Sequence, residues 1–467
     1  MKRLRLVAVA LVFTPALVCR GGGFLQYEHA AVSTAMADAR SALADDVSVV
    51  YYNPAAMCEL TGLHLQLGTT ATLPLVDYQA ARQADPLRTY TRLATGQVVQ
   101  VNDGMNDAHA KVRGFFPSHL YVSWRPESVP LAVGFGVNNP FGLGVAWPGD
   151  WDGRFITTES DLTTFFNQPT VALDLAQLLG FRQRLHLSVA VGYDLVWATA
   201  RLGQHLDLRV AEMLSSEPIA DPEGEMLMTG SALGHGFNLA LYAEWPGRLA
   251  FGASLRSGVH LPFSGTARFS FNPAGRQALQ LLATDIPAST TGRVDIDLPW
   301  HANLGLAWLG TERLKVALDL YLAFFQSYDE LSMDFDCLHE QPACALAGDP
   351  VVANWHTSWQ LSLGVEYRAW RQLRLRAGYA ASFSPVPADT LEPSVPDGRQ
   401  SNIGLGAGWR GDWWKLDVGY MLALWSVTKD NDVGGTDAGG NPRGKANGLY
   451  RTTAHMLAVS FSVVLFR

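Results

Sequence analysis

Period-two alternation of apolar and polar residues, sustained for about ten residues at a time, limits the possible folds of this chain more than any other feature. In 314–324, Leu314, Val316, Leu318, Leu320, Leu322 and Phe324 share one face, and Lys315, Ala317, Asp319, Tyr321 and Ala323 share the other. Stretches 185–195, 358–367 and 414–424 repeat the pattern. Successive side chains of a strand point to opposite faces, so each segment separates two different solvents.

A soluble sandwich and a membrane barrel both fit that pattern, and three features favour the barrel. The segments are as long as a tilted membrane strand must be, and the apolar face is aliphatic along its middle. Short connections at 125–130, 178–184, 246–248, 310–313, 371–372 and 410–412 interleave with long ones at 79–112, 148–166, 202–236, 261–298, 328–354, 384–400 and 428–449. Six short turns among seven long loops give fourteen antiparallel strands, an even number that brings both ends to the periplasm. Trp124, Trp245, Trp308, Trp370 and Trp409 each precede a short turn, and Trp413 and Trp414 follow one. Tryptophan seeks the membrane–water interface, so this is a girdle. Phe466 puts an aromatic next to the C-terminus, as barrel chains commonly do, although Arg467 follows it.

Asn53-Pro54-Ala55 and Asn272-Pro273-Ala274 together suggest a helical water channel, in which two such boxes meet. That reading fails. A spanning helix needs roughly 20 mainly apolar residues, and beyond the first 21 residues no such run is free of charge.

Residues 1–21 read as a signal peptide: Lys2, Arg3 and Arg5 precede an apolar stretch, and cleavage after Gly21 fits the small residues there. Losing them removes Lys2, Arg3, Arg5 and Arg20, so 35 basic residues become 31 against 43 acidic and the net charge moves from −8 to −12. So acidic a chain argues against a nucleic-acid partner. Cys337 and Cys344 flank a short polar segment and could close a disulfide in an oxidising compartment, leaving Cys58 over. Residues 22–62 are Ala-rich, with a helix expected over 30–43 and a turn at Asn53-Pro54. Ahead of a wide barrel, 63–467, such a segment reads as a plug in its lumen.

These residues resemble a known family. Gly23-Phe24, Glu28, Ala44-Asp45-Asp46 and Asn53-Pro54-Ala55 match the N-terminal hatch of the FadL/TodX-type outer-membrane long-chain fatty acid transporters. Pro140-Phe141-Gly142, Ser384-Pro385-Val386-Pro387 and Pro396-Asp397 extend the match towards the C-terminus. The resemblance implies a monomeric barrel in the outer membrane of a Gram-negative bacterium. It also implies passive diffusion of long-chain fatty acids or other hydrophobic ligands to a gap in the wall, with outer-membrane lipid receiving them. No cofactor, metal or catalytic step is implied.

Each candidate site has a plainer alternative. Asn138, Asn139, Pro140, Phe141 and Gly142 interrupt strand three, where proline cannot donate to the ladder. The expectation is a lateral gap contacted by Asn53, Pro54 and Ala55; the alternative is that Pro140 already begins the outer loop. Met213, Leu214, Met226, Met228, Leu279, Leu282 and Ile286 sit in two long loops and suggest an outer hydrophobic groove, or loop packing that caps the barrel. Arg256, Lys315, Asp319, Arg374 and Arg376 face the lumen and could hold a carboxylate head group, or pair with one another and the hatch. Asn272-Pro273-Ala274 reads as a helix entry in an outer loop. Competing functions are uptake of aromatic hydrocarbons, a general porin and a structural barrel.

Overall fold

The computed structural model describes residues 22–81, 88–101, 106–339, 351–433 and 445–466. Among them, fourteen antiparallel strands close into a barrel. They are β1 (Gly62–Ala80), β2 (Ser118–Arg125), β3 (Leu131–Asn138, resuming as Gly142–Ala146), β4 (Glu159–Asp174), β5 (His186–Asp207), β6 (Glu223–Trp245) and β7 (Leu249–Arg256 and Val259–Phe271). There follow β8 (Ser289–Leu298 and Trp300–Trp308), β9 (Leu314–Phe324), β10 (Thr357–Arg368), β11 (Leu373–Phe383), β12 (Arg399–Arg410), β13 (Trp414–Lys429) and β14 (Gly448–Phe466). Each strand pairs with its neighbours in sequence, and β1 pairs with β14 from Leu63↔Phe466 to Ala80↔Gly448, which leaves no free edge. No helix among the described residues is long and apolar enough to cross a membrane.

Alternation sorts the two faces as expected. Along β5, Val191, Tyr193 and Trp197 are exposed outside, whereas Ser188, Asp194 and Ala198 are buried inside. Trp124, Trp245, Trp308, Trp370, Trp409 and Trp413 are all exposed beside the short turns. Three loop boundaries need correction, the first being 148–166, whose last part is already β4 from Glu159. The stretch 202–236 is mostly strand, because β5 runs to Asp207 and β6 starts at Glu223; 261–298 likewise belongs largely to β7 and β8. Above the membrane these strands pair on without a lipid face, so their alternation is weak in sequence.

Residues 22–61 fill the lumen. Helices α1 (Ala31–Ala35) and α2 (Val49–Tyr52) and a 3-10 turn, Pro54–Glu59, pack against inward-facing side chains of the wall. The helix over 30–43 is thus shorter than expected. Small wall residues make the close approach possible: a Cβ on Gly252 would collide with the Ser41 carbonyl, and one on Gly419 with that of Ala31. Met36, Leu43, Val50, Tyr51, Tyr52 and Met57 form one apolar core with Tyr121, Tyr242 and wall alanines. A second core, nearer the outer loops, gathers Phe24, Phe141, Phe166, Met226, Met228, Phe263, Phe269 and Phe335.

Candidate functional site

The break in β3 has a defined register. Before it, Asn138 pairs with Phe166 of β4; after it, Gly142 pairs with Thr163. Four steps along β3 therefore match three along β4, a one-residue excess that ejects 139–141 from the ladder. On its other side β3 pairs with β2 only up to Leu120↔Val137. Contact resumes where Lys111 N donates to Ala146 O at 2.7 Å. Between these points β2 and β3 share no ladder bonds among the described residues; Phe115, Phe116 and Pro117 line one side and Phe141, Gly142 and Leu143 the other, and the Phe115 ring packs onto Gly144 across the stretch.

The start of the hatch supplies the backbone partners that β3 lacks. Gln26 N donates to Pro140 O at 2.8 Å and Gly142 N donates to Phe24 O at 3.0 Å, a short antiparallel bridge of Leu25 to Phe141. Side chains fix the rest: Asn139 Nδ2 reaches Thr164 O at 2.6 Å, its Oδ1 accepts from Ser118 N at 3.1 Å, and Asn138 Nδ2 reaches Gln168 at 3.0 Å. Phe24 packs among Phe141, Phe325, Tyr328 and Trp355, with ring centroids 5.2–6.0 Å away. Gly23 N donates to Asp397 Oδ2 at 2.8 Å, which also accepts from Ser384 Oγ at 2.7 Å. Burial pushes the Asp397 carboxyl up to about 6, against the hydrogen bonds from Ser384, Gly23, Gly398 and Gln400.

Behind the break lies a cavity of about 370 Å³. Phe24, Phe115, Leu143, Leu162, Trp425 and Met456 make most of its wall apolar. A smaller space of about 90 Å³ shares Phe24, Leu143, Leu162 and Val395 with it and extends toward Met226, Ile296 and Leu331.

The Asn53-Pro54-Ala55 box makes its hydrogen bonds away from the break, although the turn it opens packs on the lower part of β3, where Met57 meets Gly134. Asn53 Nδ2 donates to Ser41 O at 2.9 Å and to Leu241 O of β6 at 3.0 Å, and Ala55 O accepts from Ser188 Oγ of β5 at 2.7 Å. The box sits lower in the lumen, near the periplasmic end of β6, and residues 24–26 reach the break instead. The groove residues are also placed differently. Met226 and Met228 belong to β6, and with Leu279 and Ile286 they are buried in the outer core. Leu282 and Met213 are half-buried and Leu214 is exposed. Four of the seven thus pack beneath the outer loops, while Met213, Leu214 and Leu282 keep part of their surface exposed. Asn272 caps the helix Pro273–Leu281, its Oδ1 accepting from Gly275 N at 2.6 Å.

The lumen charges hold the hatch and one another. Lys315 meets Asp45 at 2.6 Å, and Asp319 Oδ2 accepts the backbone N–H groups of Arg40 and Ser41 at 2.8 and 2.6 Å. Arg256 pairs with Asp194 at 2.6 Å and lies over the Tyr51 ring. Arg376 bridges Glu366 and Asp417 at 2.8 and 2.7 Å, and Arg374 stands 3.5 Å from Glu366. Burial alone would raise the Asp45 carboxyl, but Lys315, Arg40 and Arg410 outweigh it and hold it well below the usual range. Burial pushes His29 down to about 3, which keeps it neutral beside Tyr52. Cys58 is buried and free; Cys337 is disulfide-bonded, and Cys344 lies outside the described residues, as do residues 1–21.

Sequence reasoning named Phe24 and Asp397 only as motif matches, and missed that residues 24–26 bridge to β3, that Asp397 anchors Gly23, and that Glu59, His186 and Glu244 group together. These last three offer ligand atoms within 4.8 Å of one another, but Arg182 already meets Glu59 at 2.9 Å and Tyr242 meets Glu244 at 2.5 Å. The first two misses are long-range contacts, which leave no local signal.

Comparisons with known proteins agree with this architecture. A putative outer membrane protein of Neisseria meningitidis serogroup B is 25% identical over 384 residues, 78% of this chain and 77% of that protein. The long-chain fatty acid transport protein of Escherichia coli O6:H1 is 23% identical over 419 residues, 86% of this chain and 85% of that one. Among solved structures, a Pseudomonas aeruginosa FadL homologue superposes with a TM-score of 0.78 at 17% identity, covering 95% of this chain and all of that one. The Pseudomonas putida toluene transporter TodX gives 0.63 at 16%, covering 95% and 99%. The family model described as outer membrane protein transport protein (OMPP1/FadL/TodX) matches residues 13–464, so this chain is a Gram-negative outer-membrane barrel that belongs to that family.

Proposed function

We propose that the protein admits hydrophobic molecules passively through the outer membrane, by capture from outside, residence in the cavity beside residues 24–28 and lateral exit at the break in β3. The class includes long-chain fatty acids and aromatic hydrocarbons, the cargoes named for its relatives. One observation carries the reading: an apolar cavity lies directly behind the only stretch of β2–β3 wall that lacks ladder bonds among the described residues. A polar lipopolysaccharide leaflet resists apolar solutes, whereas a side exit delivers them into hydrocarbon. The packed hatch argues against a general porin, and no step needs chemistry or an energy source.

Uptake of oleate and of toluene is to be compared in cells with and without the protein, and ion conductance measured after reconstitution. Faster uptake of at least one compound with little conductance is expected. Equal uptake of both, or a large steady conductance, defeats the reading.

A further inference from the structure

A carboxylate passenger needs a cation to receive it. The five lumen-facing residues named from sequence do not provide one at the cavity. Arg256, Lys315, Arg374 and Arg376 are spent on Asp194, Asp45, Glu366 and Asp417, and Asp319 is itself an acid. Among the described residues that line the larger cavity there is no Lys, Arg or His; its carboxyl groups are Glu28 and Asp397. The smaller space repeats the pattern, with Glu159, Asp161 and Glu392 in its lining. Arg113 and Arg201 neutralise Glu159 and Arg113 also meets Asp161, but these guanidinium groups do not line the space.

We propose that this pathway selects uncharged hydrophobic molecules over ionised carboxylates, with Glu28 and Asp397 as its specificity-determining groups. The inference rests on the transport reading and narrows it. A carboxylate head group entering the cavity would lose its hydration beside two acidic side chains and with no cation in the lining to offset them, in surroundings where Coulomb interactions are several times stronger than in water. A hydroxyl or carbonyl group carries no such penalty and finds neutral partners in Gln26, Gln360, Gln400 and Asn402, which share the lining. Asp397 already accepts from Gly23 N, Ser384 Oγ, Gly398 N and Gln400, and Glu28 accepts from Tyr27 N with its carboxyl raised by burial, so a passenger's amine meets no unengaged anion in the lining. That favours the neutral head group over the cationic one as well.

The test uses the full-length protein in lipid nanodiscs and three probes with one ten-carbon chain: decan-1-ol, decanoate and decylamine. Each displaces a neutral fluorescent hydrophobe at pH 8. Decanol is expected to bind tightest, with decanoate ~10-fold or more weaker, the size of one modest like-charge interaction. Lowering the pH to 5 should strengthen decanoate binding and leave decanol unchanged. Met456→Arg, which brings a guanidinium group to the lining, should close the gap between decanoate and decanol. Decanoate binding as tightly as decanol overturns the selectivity, and so does decylamine binding tightest. An unchanged ratio in a folded Met456→Arg protein also counts against it. If none of the three probes binds, the transport reading itself fails, a result distinct from an inverted order.

Discussion

The two ends of the hatch are held in opposite ways. Its later part, residues 36–60, is fastened by charge and by buried polar contacts. Asp45 draws in Arg40, Lys315 and Arg410, Asp319 grips two successive backbone N–H groups, and Asn53 ties Ser41 to β6. Its beginning, residues 22–28, is held by two backbone hydrogen bonds to β3, one carboxylate at Gly23 and aromatic packing around Phe24. Ion pairs with a buried partner such as Arg40 resist displacement because opening them strands charge. Apolar contacts beside a cavity can be exchanged for contacts with an apolar ligand at little cost. On the proposed route, the chain would separate sealing from admission along some forty residues.

Four experiments press on that contrast. The largest effect is expected from replacing Pro140-Phe141-Gly142 with Val-Thr-Val, which should let β3 pair continuously with β2. Uptake of the hydrophobic probe should fall to the level of cells lacking the protein, while the barrel keeps its heat-modifiable gel migration. Asp45→Ala attacks the fastened part and leaves Arg40 buried without its partner, at a cost of about 3 kcal/mol. Chemical unfolding should register that loss and conductance should rise, with probe delivery still present. Asn53→Ala leaves the Ser41 and Leu241 carbonyls short of a donor, a loss of about 1–3 kcal/mol in the same unfolding assay.

The smallest effect concerns pH. His29 is pushed down to about 3 by burial, below its unfolded value of about 6.5, so the unfolded chain binds the proton first as pH falls. Its contribution is complete above pH 6.5 and shrinks by about 1.4 kcal/mol per pH unit below it. Asp397, pushed up to about 6, works in the opposite sense, its share fading as pH rises through that value. The His29→Gln protein should therefore lose less stability between pH 8 and pH 5 than the parent. An identical loss would mean that His29 does not titrate with unfolding.

The membrane-embedded part of this fold was readable because lipid imposes a strict code. Trp245, Pro246-Gly247-Arg248 and Leu249 mark a turn in sequence and occupy one in the structure. Outside the lipid the code relaxes: Glu223, Glu225 and His205 pair in strands that read as loop. At the site, Pro140 disclosed the break because it lacks an N–H, but nothing near it disclosed that residues 24–26 complete the pairing from more than a hundred residues away. The lumen cations were legible as inward-facing; that each would already be paired depended on register and on the path of the hatch.

The stretch of β3 without ladder bonds to β2 is stitched at both ends, by Leu120↔Val137 below and by Lys111 with Ala146 above. A slit that reached a free edge could unzip and let almost anything through, whereas a buttonhole keeps its length. If the proposed exit lies here, passenger width would be set by the few side chains beside it, Phe115, Phe116 and Leu143, and trimming or enlarging them should tune passage without touching the barrel.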